Sequence, residues 1–183
     1  MALLCRGPVA SVPRCPAMVA VGWFGTMPVD EAAFMRRAIA LSCQGAAAGG
    51  GPFGAVVVKD GLVVGEGRNA VVPDQDPTAH AEVVAIRRAC AALGTHDLTG
   101  AVIYTSCEPC PMCLGAIWWA RIGEIVYAND RADAAAIGFD DAAIYEEVCR
   151  PLPARRLPLR RLLAAEAIEA FRLWDAQADK VPY

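Results

Sequence analysis

The sequence predicts an α/β fold, a three-layer α/β/α sandwich around a central mixed sheet of about five strands. Three observations predict it. Two short apolar runs, residues 53–59 and 62–67, flank Asp60-Gly61, a dipeptide suited to a two-residue hairpin turn. Two further apolar runs, 101–105 and 123–128, lie on either side of a helix-length segment, and that order gives a parallel pair with a right-handed crossover. Helical segments precede and interleave these runs, so both faces of the sheet can be covered. A chain of 183 residues is most simply one domain, which we place at residues 27–183.

Residues 1–26 carry Arg6 and Arg14, no acidic residue, three prolines and no periodicity. Their apolar core, Ala17 to Phe24, is broken by Gly22 and precedes no convincing cleavage site, so we read a disordered extension, not a secretory signal. From Asp30, as cap, a helix should bury Ala33, Met35, Ala38, Ile39 and Ser42 or Cys43, and end in residues 45–51. Gly54, at the start of the first strand, lets the backbone approach something bulky, and we favour a role at the site over a plain strand start. Asp76-Pro77-Thr78 is good initiation chemistry for a helix with Ala79, Val83, Ile86, Cys90 and Leu93 as its stripe. The helix between the parallel strands should turn Leu114, Ile117 and Trp118 inward. Residues 150–161 form a basic connector interrupted by Pro151, Pro153 and Pro158. A last helix, 162–174, aligns Ile168, Phe171 and Trp174 along one stripe.

Net charge is −3, which gives no reason for non-specific attraction to nucleic acid. Hydrophobic residues make up 56% of the chain, yet no uninterrupted apolar stretch approaches a membrane span. Eight cysteines could suggest disulfides, but a chain of this length and apolarity does not need them; a reducing cytoplasm fits better.

The chemistry concentrates in Cys107-Glu108-Pro109-Cys110-Pro111-Met112-Cys113 and in His80-Ala81-Glu82 upstream. Cys110 and Cys113 at i and i+3 share one face of a helix's first turn, so both sulfurs can reach one ion. A helix N-terminus favours the thiolate, the form that binds metal. With His80 they make a three-ligand zinc set, and three protein ligands at about 2.0–2.3 Å leave a fourth position for water, the catalytic arrangement. Glu82 lies about 200° around the helix from His80, so it need not bind the metal and is free to move protons. Other readings stay open from the residues alone. Cys-x-x-Cys after a strand also suits a redox centre. An iron–sulfur run would want cysteine where Ile117 stands. Cys107 could complete a four-ligand structural zinc site, which would leave Glu82 without a task.

His80-Ala81-Glu82 followed by Pro109-Cys110-Pro111-Met112-Cys113 resembles the zinc nucleobase deaminase superfamily. With Asp76-Pro77-Thr78-Ala79 before it, Thr105 to Ile117 around it and Gly138-Phe139-Asp140-Asp141 after it, the chain most resembles bacterial guanine deaminases, from about Pro28 to Tyr183. The resemblance implies a cytidine-deaminase-like sandwich with Zn²⁺ on His80, Cys110 and Cys113. It implies Glu82 as the catalytic proton shuttle and Asp141 as the acid that handles the substrate's amino group. It places Asn69 and the backbone at Ala81 on the polar edges of a base, Phe53 or Trp119 on its face, and Tyr183 in a lid or dimerisation element formed by segment 150–183. The implied reaction is hydrolysis of guanine to xanthine and ammonia in the cytoplasm, by a homodimer that can exchange its C-terminal segments. A tRNA adenosine deaminase or a cytosine-type deaminase is the alternative. A non-catalytic zinc or RNA-binding module on the same scaffold is the rival from another class, and the intact Glu82 argues against it.

Overall fold

Asp30 caps the first helix as expected, its carboxylate accepting the Ala33 N–H at 3.0 Å. A computed structural model of the protein describes residues 30–182, so the expectations for residues 1–26 and for Tyr183 lie outside the described residues. Helix α1 (Glu31–Ala47) leads through glycines into β1 (Gly54–Lys59) and β2 (Leu62–Arg68). Asp60 and Gly61 both take positive φ, 52° and 75°, the requirement of the primed hairpin turn that Asp-Gly predicts. A single turn, α2 (Val71–Asp74), precedes α3 (Ala81–Leu93); β3 (Val102–Cys107), α4 (Pro111–Trp119) and β4 (Glu124–Asn129) follow. The chain continues as α5 (Arg131–Ala136), α6 (Ala142–Cys149), a 3-10 turn (Leu152–Ala154) and α7 (Ala164–Asp175).

The sheet has the order β2-β1-β3-β4, antiparallel except for the β3–β4 pair joined across α4. It is the mixed sheet expected, but it has four strands among the described residues in place of about five. Beyond α5 and α6 the chain meets Pro151, Pro153 and Pro158, which cannot donate to a ladder, and no further strand forms there. Alternation along the strands makes the sandwich. Val56, Val58 and Tyr104 face α1 with Ala38 and Leu41, while Ala55, Val57 and Ile103 face the other way, onto Ala81, Ala85, Ala89 and Ile117. Among the described residues no helix is long and apolar enough to cross a membrane.

The helices bury stripes that match those the sequence suggests only in part. In α1 the buried residues are Ala38, Leu41, Ser42 and Gly45, while Ile39 is exposed. In α3 they are Ala81, Glu82, Ala85, Ile86 and Ala89, while Leu93 is exposed. Glycine explains the α3 result. Gly65 and Gly67 sit two residues apart on the same face of β2, and a Cβ on either would run into the backbone of α3, at Ala85 and Ala89 or at Ala81 and Ala85. Only alanines fit where the helix approaches so closely. Gly54 does the same service on the opposite face, where a Cβ would overlap Ala38 O and lie 2.5 Å from Ser42 N. The bulky neighbour that Gly54 admits is thus helix α1. Gly67→Ala should cost about 2–4 kcal/mol, because backbone cannot yield as a flexible side chain can; a denaturant midpoint equal to the parent's would refute this packing.

In α4, Cys113 and Ile117 are buried but Leu114 and Trp118 are exposed, Trp118 by 81%. Helix α7 has no buried residue, and Ile168, Phe171 and Trp174 all remain exposed. These apolar faces meet too little of their own chain to be covered.

Candidate active site

The histidine and both cysteines are placed by two helix starts. The Asp76 carboxylate accepts from the Thr78 N–H at 2.8 Å and the Thr78 hydroxyl at 2.7 Å, so Asp76 builds a turn ahead of α3, and His80 itself takes the N-cap position with extended backbone. The Ala70 N–H donates to Ala79 O at 2.9 Å, fixing the approach to His80 against the end of β2. Cys110 is the N-cap of α4, Pro111 opens the helix, and Cys113 lies one turn in, fully buried. The His80 Nδ1 is 3.6 Å from Cys110 Sγ and 3.5 Å from Cys113 Sγ. A tetrahedral zinc ion with ordinary bond lengths separates its nitrogen and sulfur ligands by about 3.6 Å, and both histidine–cysteine separations match that spacing. Cys107 stands apart from this group; its sulfur donates to Asp130 O at 3.5 Å, and burial pushes its thiol up to about 11.

The three groups already interact electrostatically. A hydrogen bond with Cys113, and a further one with His80, hold the Cys110 thiol down at about 4. The bond to Cys110 and burial push Cys113 up, and the bond to Cys110 raises His80. The pattern is two sulfurs and an imidazole competing for protons that a cation would replace. Glu82 is 6% exposed, and burial raises the proton affinity of its carboxyl.

These groups open into a cavity of about 460 Å³. Phe53, His80, Glu82 and Cys110 line it from the sheet and its helices, and Phe139 and Asp141 line it from the segment after β4. Asp141 begins α6 but makes no capping bond; Asp140 accepts the Ala142 N–H at 2.9 Å instead, and burial chiefly raises the Asp141 carboxyl. Two contacts tie that segment to the cysteine loop. The Arg131 N–H donates to Glu108 Oε2 at 3.2 Å, and the Tyr145 hydroxyl donates to Pro109 O at 3.4 Å.

The structure therefore gathers His80, Glu82, Cys110, Cys113, Phe53 and Asp141 around one space. Asn69, Ala81 and Gly54 are buried. The Asn69 Oδ1 accepts N–H groups from Gly51 at 3.2 Å and Val71 at 3.3 Å, and the Asn69 N–H donates to Phe53 O at 2.9 Å. Its amide oxygen is thus occupied by the chain, which leaves the Nδ2 donors for another partner. Trp119 is elsewhere; with Phe171 and Trp174 it borders a separate space of about 660 Å³. Glu108, Phe139 and Tyr145 were not singled out by sequence reasoning. Glu108 and Phe139 lie inside the two motif runs, and Tyr145 has no local signal.

Comparison with known proteins agrees with this geometry. The family described as the cytidine and deoxycytidylate deaminase zinc-binding region matches residues 28–129. Guanine deaminase of Bacillus subtilis is 49% identical over 156 residues, covering 85% of this chain and 100% of its own. The X-ray structure of guanine deaminase from Bacillus subtilis superposes with a TM-score of 0.81 at 50% identity, over 84% of this chain and 99% of the other. The tRNA-specific adenosine deaminase of Haemophilus influenzae is 39% identical over 113 residues, 58% of this chain and 65% of its own. With its His80, Cys110 and Cys113 set at zinc-ligand spacing, the chain belongs to the zinc-binding cytidine and deoxycytidylate deaminase family, with guanine deaminase among its near relatives.

Proposed function

We propose that this protein hydrolyses guanine to xanthine and ammonia, holding Zn²⁺ on His80, Cys110 and Cys113. The observation that carries the reading is the buried Glu82 carboxyl opening into the same cavity as the three-ligand set, with Asp141 facing it from the segment that follows β4. The match to guanine deaminase over all of that protein and 85% of this chain supports the choice of base, because the tRNA-directed relative matches only 58% of this chain.

When bound, the zinc ion supplies Lewis acidity that makes a water nucleophilic at neutral pH. Glu82 accepts a proton from that water, and its burial makes it a willing acceptor. It passes that proton to the ring nitrogen beside C2 as the C2–O bond forms, then takes the remaining proton from the new C2 hydroxyl and delivers it to the amine as the C2–N bond breaks, leaving the C2 carbonyl. The balance is guanine plus water giving xanthine plus ammonia. Phe53 offers a ring face to the base, the Asn69 Nδ2 and the Ala81 N–H address its polar edges, and Asp141 accepts from the exocyclic amine.

Trp119 and Tyr183 enter this reading through a second copy of the chain. The exposed Leu114 and Trp118 of α4 and the unburied α7 support a homodimer with exchanged C-terminal segments, which would bring the partner's tail over the cavity. The net charge of −3 supports a free base over a nucleic acid, and six thiols without a disulfide among the described residues support a reducing, cytoplasmic setting.

Ammonia release by the zinc-loaded protein across guanine, guanosine, adenine, cytosine and a tRNA anticodon stem, with ultraviolet detection of xanthine, tests the proposal. Turnover is expected with guanine. Turnover of the tRNA stem or cytosine alone would replace guanine with one of the other deaminase substrates, and RNA affinity without ammonia release would point to a non-catalytic module.

A further inference from the structure

Phe53 and Phe139 join the two sets of cavity residues by a ring contact. Their centroids are 5.0 Å apart and their planes stand at 89°, the edge-to-face arrangement that aromatic quadrupoles prefer. Phe53 has a pinned backbone, its N–H donating to Gly51 O and its carbonyl accepting from Asn69, both at 2.9 Å. A pinned backbone does not fix the plane of a ring, because rotation about the terminal torsion is broad.

Phe139 is held in turn. Gly138 takes φ 95°, and this left-handed residue lets the Gly138 N–H reach Ala135 O and the Phe139 N–H reach Ala134 O, each at 3.0 Å, closing off α5. The ring so delivered is 47% exposed, too open for a core residue, yet it lines the cavity beside Phe53. Maintenance of the fold does not account for a large apolar side chain in that position.

We propose that Phe139 is a positioning residue for base recognition, which fixes the plane of Phe53 before the base arrives. The inference rests on the reading of this cavity as the base-binding site. A flat heterocycle stacks on a ring only when that ring is correctly turned, and ordering it in advance removes a cost otherwise met on binding. Phe139 therefore acts on binding and leaves the chemical step, which belongs to Glu82 and the metal, untouched.

Four variants test it by steady-state kinetics: Phe139→Leu, Phe139→Tyr, Phe53→Leu and the Phe53→Leu/Phe139→Leu double variant. For Phe139→Leu the KM for guanine should rise about 3- to 10-fold, in line with the strength of an aromatic pair, while kcat stays within about twofold. Phe139→Tyr keeps the ring and should restore the parent KM. In the Phe53→Leu background Phe139→Leu should add nothing, since its partner is gone. Calorimetric affinity for xanthine should weaken by the same factor as KM, a readout independent of turnover. An unchanged KM, a kcat loss that matches the KM change, or a Phe139 effect that persists in full without Phe53 would each overturn the proposal. If the parent makes no xanthine, the guanine assignment falls, and the same cycle is run on whichever base of the panel is deaminated, so the two ideas fail separately.

Discussion

Glu82→Gln is expected to retain zinc and lower kcat by about 10²- to 10⁴-fold, the usual worth of a positioned acid–base group. The amide matches the carboxylate in shape and can still donate a hydrogen bond, but it cannot take up and return a proton, and the proposed sequence needs both events. Stability should move the other way. Burial penalises the ionised form of Glu82, so a neutral side chain of the same size should leave the melting temperature unchanged or raise it. Metal analysis, ammonia release and thermal denaturation of one preparation check all three parts. A Gln variant that keeps more than a tenth of parental turnover would end the proton-shuttle assignment.

Cys113→Ser should act through the metal instead. Its sulfur is fully buried and within ligand distance of the other two groups, so its loss removes one of three ligands and leaves a poorly matched site. Zinc content after dialysis should fall at least about tenfold and activity should become undetectable. Because bound metal stabilises the folded state by mass action, a chelator should lower the melting temperature of the parent and leave that of the variant unmoved. Cys107→Ser is the discriminating control. The Cys107 sulfur donates to Asp130 O and lies outside the ligand group, so this variant should keep its zinc. Loss of zinc from it would revive the four-ligand structural site.

What the sequence disclosed, it disclosed through local chemistry. Asp30 as a cap, Asp60-Gly61 as a primed turn and the β3–α4–β4 crossover each depend on residues close along the chain. The ligand set was equally legible, because a metal imposes spacing that survives in the letters. The misses share a different cause. The spacing of Ala79, Val83, Ile86, Cys90 and Leu93 found Ala79, Ile86 and Cys90 on the core side of α3, but not the alanines at 81, 85 and 89, which the facing Gly65 and Gly67 admit. Leu114 and Trp118 seemed to turn inward because they are apolar, and nothing in an isolated sequence says which surface an apolar side chain meets. Phe139 stands inside the Gly138–Asp141 run, but its pairing with Phe53 gave no signal, because the two are remote in sequence and meet only after the chain has passed through the whole sheet.

The cavity is built from two sources of unequal depth. His80, Glu82 and the cysteines are backed by the sheet and its close-packed helices, whereas α5 and α6 contain no buried residue. A substitution among residues 131–149 therefore disturbs little that holds the chain folded, but it reshapes the surface a substrate meets. Mutational drift can explore new heterocycles there at small risk to the metal chemistry. The family region, matched over residues 28–129, stops short of that segment, and the matched part is the half that such drift can least afford to touch. A laboratory search for altered base preference would do best to randomise Phe139 and its neighbours and leave the zinc loop alone.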